Sequence, residues 1–241
     1  MEEHIALAAE KLFSIGPLPV TNTILTTWLV TLILIGFAAA ATRRVALVPS
    51  PIQNFAEFAV ESLHGLVSSV AGNKTAAFFP IIASFFFFII VGNYLGLLPG
   101  FGTIGFHEGQ KFVPLFRSIN SDLNTTLALA LVSVIATHYL AIKYLGLGDY
   151  LKKWISLNPI FLFVGLIELA GEFTKVISLS FRLFGNIFAG ETALTTVSQL
   201  FAFVVPLPFY FLELIVGFVQ ALVFAMLTLV FMVILTQKHE H

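Results

Sequence analysis

Arg182 is the residue of this sequence that most needs explaining. It stands in an apolar-rich stretch from Asn158 to Val205 that also holds Glu168, Glu172, Lys175 and Glu191, and the next apolar run carries Glu213 and Gln220. An ionisable side chain at mid-membrane costs at least about 2.5–3.5 kcal/mol on insertion scales, so each is a functional candidate by default. Groups of this kind can carry protons: carboxyls titrate, amides and hydroxyls such as Asn186, Gln220 and Ser178 hydrogen-bond, and a guanidinium holds a fixed charge.

With Glu168 at zero and about 100° per helical residue, Glu172 falls at about 40°, Lys175 at about −20°, Arg182 at about −40° and Asn186 near 0°. These five share one face, and Glu191, at about 140°, points away from it. On the last run Glu213, Gly217, Gln220 and Phe224 share a face by the same rule. Several of these residues also have a bland reading. Glu168, Glu172 and Lys175 can neutralise one another at helical spacing, Glu213 can anchor a helix near the outer interface, and Gln220 can form an interhelical hydrogen bond. Arg182 resists such a reading, because positions three and four away hold Ser178, Leu179, Gly185 and Asn186 and no acid. A permanently charged guanidinium without an in-chain partner implies a carboxylate from another chain. Gly171, Ser178, Gly185 and Ala189 form a small-residue strip on the flank of that face, which lets another helix approach closely.

The elements that must position these residues are membrane helices. Of the 241 residues 58% are hydrophobic and 10% charged, and mean hydropathy is +0.98; soluble domains carry about 25% charged residues. Spans are expected at 22–41, 78–98, 122–145, 159–205 and 209–235, within a single membrane domain over 1–241. Asn22 is expected to cap the first, Pro99-Gly100 to close the second, Asp122 or Ser121 to cap the third with Gly146 and Gly148 ending it, and Pro206-Leu207-Pro208 to break the fourth. Asn158 to Val205 offers no turn signal, so it is expected to be one helix. At 1.5 Å per residue it would extend about 72 Å against a hydrocarbon core of about 30 Å, and a strong tilt is required. The last helix is expected to fold back beside it as a slanted hairpin.

Between the first two spans, 52–70 is too polar to cross. Ile52, Phe55, Ala59, Leu63, Leu66 and Val70 recur at helical spacing opposite Gln53, Glu57, Glu61 and His64, which fits a helix lying in the interface or one packed on the protein's own loops. The first apolar run ends in Ala38 to Ala41 like a signal peptide. Its charges are reversed, however, with Glu2, Glu3 and Glu10 before it and Arg43-Arg44 after, so it is expected to be retained. With the N-terminus outside, the inner side holds Arg43, Arg44, Lys74, Lys143, Lys152, Lys153 and Lys238, and the outer side Lys11, Lys111 and Arg117. Seven against three favours N-out, C-in.

Nucleic acid is not an expected partner, since the net charge is −1 and the cations do not cluster. With no cysteine, disulfides, thiolate metal sites and Cys nucleophiles are excluded. No metal or other cofactor is expected; His239 and His241 read as solvated tail residues. His138 is the only His within a span, without the neighbours a hydrolase would need.

The run Ser178-Leu179-Ser180-Phe181-Arg182-Leu183-Phe184-Gly185-Asn186-Ile187-Phe188-Ala189-Gly190-Glu191 resembles the signature of subunit a of F-type ATP synthases. Gln220 to Thr228 resembles its last-helix motif, and Pro51 to Glu61, Asn93 to Pro99 and Asp122 to Ala130 resemble further blocks. The resemblance runs from about Pro49 to Phe231. It implies an all-α polytopic protein that is not catalytic alone: a stator whose partners are the c-ring subunits, the peripheral-stalk b subunits, the other ATP synthase subunits and lipid. Protons would enter from outside through one half-channel, neutralise a ring carboxylate, and leave inward through a second, with Arg182 between the two. By depth, Asn186, Glu191, Glu213 and Gln220 suit the outer half-channel, and Glu168, Glu172, Lys175 and Ser178 the inner one. Glu stands at both 191 and 213, where some members pair a Glu with a His. The implied setting is the bacterial inner membrane, C-terminus cytoplasmic, with the thylakoid membrane less favoured. A secondary cation/proton antiporter is the rival function; it predicts internal repeats, which are not seen.

Overall fold

The computed structural model describes residues 9–43, 45–108, 111–154, 159–200 and 204–237. Glu2, Glu3, Arg44, Asn158, Lys238, His239, His241 and the stretch 201–203 of the expected fourth span lie outside the described residues. Seven α-helices follow in order among them: α1 Asn22–Thr42, α2 Pro51–Ala71, α3 Thr75–Gly96, α4 Leu123–Leu145, α5 Leu147–Trp154, α6 Pro159–Leu200 and α7 Pro206–Leu235. Two short antiparallel hairpins accompany them, β1 Lys11–Ile15 with β2 Leu18–Thr21, and β3 Gly105–Glu108 with β4 Lys111–Pro114. The protein is an all-α polytopic membrane protein with these two hairpins as appendages. Helix α1, the run Pro51–Gly96, α4 and α7 are each long and apolar enough to cross a membrane. Helix α6 is longer than any of them except that combined run, and more charged.

Thr21, rather than the expected Asn22, caps α1. The hairpin delivers Thr21 in an extended conformation, and its hydroxyl accepts from Ile24 N at 3.4 Å. Asn22 becomes the first helical residue, with Oδ1 accepting from Glu10 N at 3.2 Å and Nδ2 donating to Pro114 O at 3.4 Å. Asp122 caps α4, its Oδ1 accepting from Asn124 N at 3.0 Å, and Gly146, at φ 81°, ends it. Gly148 ends nothing; it lies inside α5. Helix α7 begins at Pro206, three residues before the expected start, because proline is suited to a first helical turn, where no intrahelical N–H partner is lost. The triplet Pro206-Leu207-Pro208 therefore opens a helix and does not only break one.

On α2 the buried positions are Gln53, Leu63 and Val67, while Ile52, Phe55, Leu66 and Val70 face outward. The expected apolar stripe is thus largely turned away from the protein. Gln53 replaces it on the inner side because its amide is fully used: Nε2 donates to Ala46 O at 3.2 Å and Glu57 Oε1 at 2.8 Å, and Oε1 accepts from Ala46 N at 3.3 Å.

The core is a seam centred on α7: Phe224, Ala225, Leu229 and Met232 pack against Phe78, Ile82, Phe85 and Ile89 of α3 and against Leu179, Leu183 and Ile187 of α6, all buried, and α4 packs along both α6 and α7. Those positions recur every three or four residues, so each helix gives one face to its neighbours. The Phe85 and Phe224 rings lie 5.4 Å apart. Lipid tails are as apolar as leucine, so packing and interhelical hydrogen bonds must hold such a bundle. Two hydroxyl pairs do this here: Thr126 Oγ1 with Ser180 Oγ at 3.1 Å joins α4 to α6, and Ser133 Oγ with Thr228 Oγ1 at 2.8 Å joins α4 to α7.

Helix α6 is unbroken over 42 residues, about 63 Å at the α-helical rise. No loop interrupts it near Lys175, and α7 packs along it.

Candidate functional site

Three polar regions are strung along α6. The middle one is Arg182 with its neighbours. Leu179, Leu183 and Ile187 are buried, which fixes the rotation of the helix and turns Arg182, Ser178 and Asn186 outward. Arg182 Nη2 donates to Ser178 Oγ at 3.2 Å, and Asn186 Nδ2 donates to the Arg182 carbonyl at 2.9 Å. Among the described residues no carboxylate pairs with Arg182. Gln220, half-buried on α7, has no hydrogen bond among them either.

The second region lies toward the C-terminal end of α6. Glu191, on the side of α6 away from Arg182, and buried Glu213 of α7 line one narrow cleft with Asn93, Leu97, Ser118 and Ile187. Glu191 sits beside Ser118, Ser121 and the Arg117 guanidinium. Arg117 is held by Ser121, with Nε donating to its hydroxyl at 3.2 Å and Nη2 to its carbonyl at 3.1 Å. Asn120 Nδ2 donates to Asn93 Oδ1 at 2.7 Å, and Asn93 Nδ2 donates to Gly217 O at 2.9 Å, which lashes α3, the turn Ile119–Ser121 and α7 around the cleft. Ser118 Oγ and Glu213 Oε1 are buried without a hydrogen-bond partner. Buried polar atoms seldom stay so without a reason.

Gly190 makes the close approach of α7 possible, since a Cβ there would overlap the Glu213 carboxylate. Gly190→Ala is therefore expected to leave assembly intact, the displaced atoms being the tip of a side chain, while moving that carboxyl. Misplacement by about 1 Å can cost a reacting group up to about 100-fold. If Glu213 serves the proton path that the resemblance implies, proton flux into vesicles carrying this variant should fall well below wild type.

The third region lies toward the N-terminal end of α6. Glu172 is buried; its Oε1 accepts from Lys175 Nζ at 2.6 Å and its Oε2 is 3.6 Å from His138 Nε2 of α4. The Lys175 ammonium lies 4.7 Å from the centre of the Phe231 ring of α7. His138 Nδ1 meets the Tyr150 hydroxyl of α5 at 2.9 Å, and the Trp154 ring lies beside both. Burial pushes the Tyr150 phenol up, so it stays protonated. The single wheel face expected for Glu168, Glu172, Lys175, Arg182 and Asn186 is thus divided: Glu172 turns in against α4 while Arg182 and Asn186 turn out.

Several contributors to these regions escaped sequence reasoning, Ser118, Ser121, Arg117 and His138 among them. Ser118 and Ser121 belong to a loop and turn with no periodic signal. Arg117 counted only as a loop cation, and His138 finds Glu172 across 34 positions. The one available hint was that Asn93 and Asp122 open blocks of the resemblance that flank Ser118 to Ser121.

The arrangement offers an exposed fixed charge between two separate clusters of titratable groups, one on either side of it along the same helix. A family model described as ATP synthase A chain matches residues 24–233.

Proposed function

The chain belongs to the ATP synthase A chain family, and from that premise we propose that it is the stator against which a ring of carboxylate-bearing subunits turns. As a member it is a membrane-embedded, proton-translocating subunit of the ATP synthase complex, and it is not catalytic by itself. The proposal concerns how. Arg182 meets each ring carboxylate in turn; Glu191, Glu213, Asn186 and Gln220 serve the outer half-channel, and Glu172, Glu168, Lys175 and Ser178 the inner one. The observation that carries this reading is the outward-facing, acid-free Arg182 between two buried acidic clusters.

A guanidinium held toward the lipid face is costly unless a carboxylate from another chain meets it. When one does, the ring carboxylate can stay ionised at that point and nowhere else on its path through lipid, and the fixed charge opposes a direct leak between the routes. Ser118 Oγ and Glu213 Oε1, buried without protein partners, suit a route that carries hydrogen-bonded protons. Transfer of one charge down 100 mV supplies about 2.3 kcal/mol, so several protons per turn are needed. Helix α6 is strongly tilted in the membrane and α2 lies in the interface with Phe55 and Leu66 toward lipid. Lys74 Nζ donates to Thr236 O at 2.8 Å, so Lys74 shares a side with the end of α7. With cations in excess on the inner side, we take that side as inward, in a bacterial inner membrane, with peripheral-stalk b subunits as further partners.

Because the chain has no cysteine, one introduced thiol is unique. Ser178→Cys should cross-link, in the assembled complex, to a cysteine placed one turn from the ring carboxylate. Phe163→Cys, at an exposed position remote from Arg182 on α6, should cross-link less. Equal yields from both would count against the assigned face.

A further inference from the structure

We propose that His138 takes the outgoing proton from Glu172 and releases it beneath α5, which makes the His138–Tyr150 pair the last protein station of the inner route. The inference rests on the reading of Glu172 as part of that route.

His138 has a polar group near each of its ring nitrogens. On one side its Nε2 is 3.6 Å from Glu172 Oε2, and on the other its Nδ1 is 2.9 Å from the Tyr150 hydroxyl. The first distance lies beyond a hydrogen bond but within a small side-chain adjustment of one. Facing the imidazole are Glu172 from α6 and Tyr150 and Trp154 from α5; Lys175 of α6 reaches Glu172, and its ammonium lies against the Phe231 ring of α7. Glu168 precedes Glu172 by one turn, and Asp149 adjoins Tyr150. Helix α5 covers the site with the Tyr150 and Trp154 rings, each 6.0 Å from the imidazole centre.

Glu172 is poorly suited to the final step. Its Oε1 is taken by Lys175 Nζ at 2.6 Å, and its Oε2 faces the next base within reach. Imidazole is that base, and it ordinarily titrates close to neutrality. The transfer balances without another reagent. The Glu172 O–H bond breaks as an N–H bond forms at Nε2, giving an imidazolium beside a carboxylate. The Nδ1 proton then passes to the Tyr150 oxygen while the phenol gives its own proton to water at the α5 end. The site resets when water relays the proton from Nε2 to Nδ1, one N–H bond breaking as the other forms. A purely structural role would have His138 only satisfy buried Glu172, and an amide could do that equally well.

The test is His138→Gln, which retains hydrogen bonding toward both partners and removes titration. Wild-type and variant complexes would be reconstituted in liposomes and their ATP synthesis rates compared as a ratio at each inside pH, with total driving force fixed. The ratio cancels the pH dependence of the catalytic sector. It should be about one-tenth or lower at an inside pH of about 8 and rise toward unity as the inside is made acidic, where mass action no longer lets the wild-type imidazole release its proton. A ratio that stays flat with pH, near unity or depressed throughout, would overturn the inference. If the variant does not assemble, Tyr150→Phe keeps the ring and removes the proton acceptor on Nδ1. It should lower synthesis several-fold and move the inside-pH midpoint, and an unmoved midpoint overturns the inference equally. Loss of synthesis in Arg182→Ala beside a flat His138→Gln ratio would remove this step alone. Near-normal synthesis in Arg182→Ala would remove the reading beneath it.

Discussion

Arg182→Ala is expected to abolish proton-driven ATP synthesis in membrane vesicles while the complex still assembles. Assembly should survive because the side chain is exposed and its one side-chain hydrogen bond is to Ser178 of its own helix; nothing in the core seam rests on it. Function should not survive. On the proposed reading each ring carboxylate must be ionised where it is exchanged between the routes, and without the guanidinium that carboxylate would stand unpaired in a low-dielectric site. Removing one partner of such a pair costs about 3–5 kcal/mol. If that cost is added to every step of rotation, the rate falls by about 100- to 1,000-fold or more. Arg182→Lys restores the charge but not the planar, five-donor fork, so it should recover a small part of the activity. The measurement is ATP formed under an imposed pH and voltage gradient, with subunit content checked on the same vesicles. Near-normal synthesis in the alanine variant would sink the central role given to this residue.

The second large effect concerns the outer pair. Glu191→Gln and Glu213→Gln should each slow proton uptake, and the double variant should slow it more than either alone. The two carboxyls line the same cleft, and each alone leaves one titratable group at which a proton can pause. Positioned acid–base groups are typically worth about 100- to 10,000-fold, so the double change is expected to cost at least about 100-fold, against a smaller loss for each single change. Glutamine nearly preserves shape, and Gly190 leaves room for an amide where it admits a carboxylate, so packing should be kept. Flux through the double variant equal to wild type would mean that protons enter elsewhere.

The long elements were legible because their causes are local. Helix α6 could be read as a single rod since no glycine–proline or Asn-Gly signal interrupts Pro159 to Leu200, and the α4 boundaries follow from Asp122 and Gly146. The features that escaped depend on chain segments far apart. The β1–β2 hairpin that demotes Asn22 from cap to first residue turns at Gly16, φ 61°, in a stretch that reads only as a proline-rich approach to α1. Helix α5 is eight residues with Lys152 and Lys153, too short and polar to stand out beside spans of twenty. The exposed side of α2 could not be foreseen from its stripe, because the stripe says which residues are apolar and not whether protein or lipid meets them. In the candidate site, Arg182, Glu191 and Glu213 were visible as charges where charges are expensive. Ser118, Arg117 and His138 are ordinary residues for their surroundings until the fold sets them against those charges.

The absence of any joint in α6 has a consequence for how the subunit can change over evolution. A helix is a screw, and inserting a single residue advances everything beyond it by 1.5 Å and turns it by about 100°. Placed between Lys175 and Arg182, such an insertion would leave the Glu172 cluster in phase with α4 while swinging Arg182 out of its sector and Glu191 off the cleft it shares with Glu213. Substitutions along this rod can be tried one at a time, but length changes cannot. The segment from Glu172 to Glu191 acts as a reading frame in space, tolerant of spelling and intolerant of slippage.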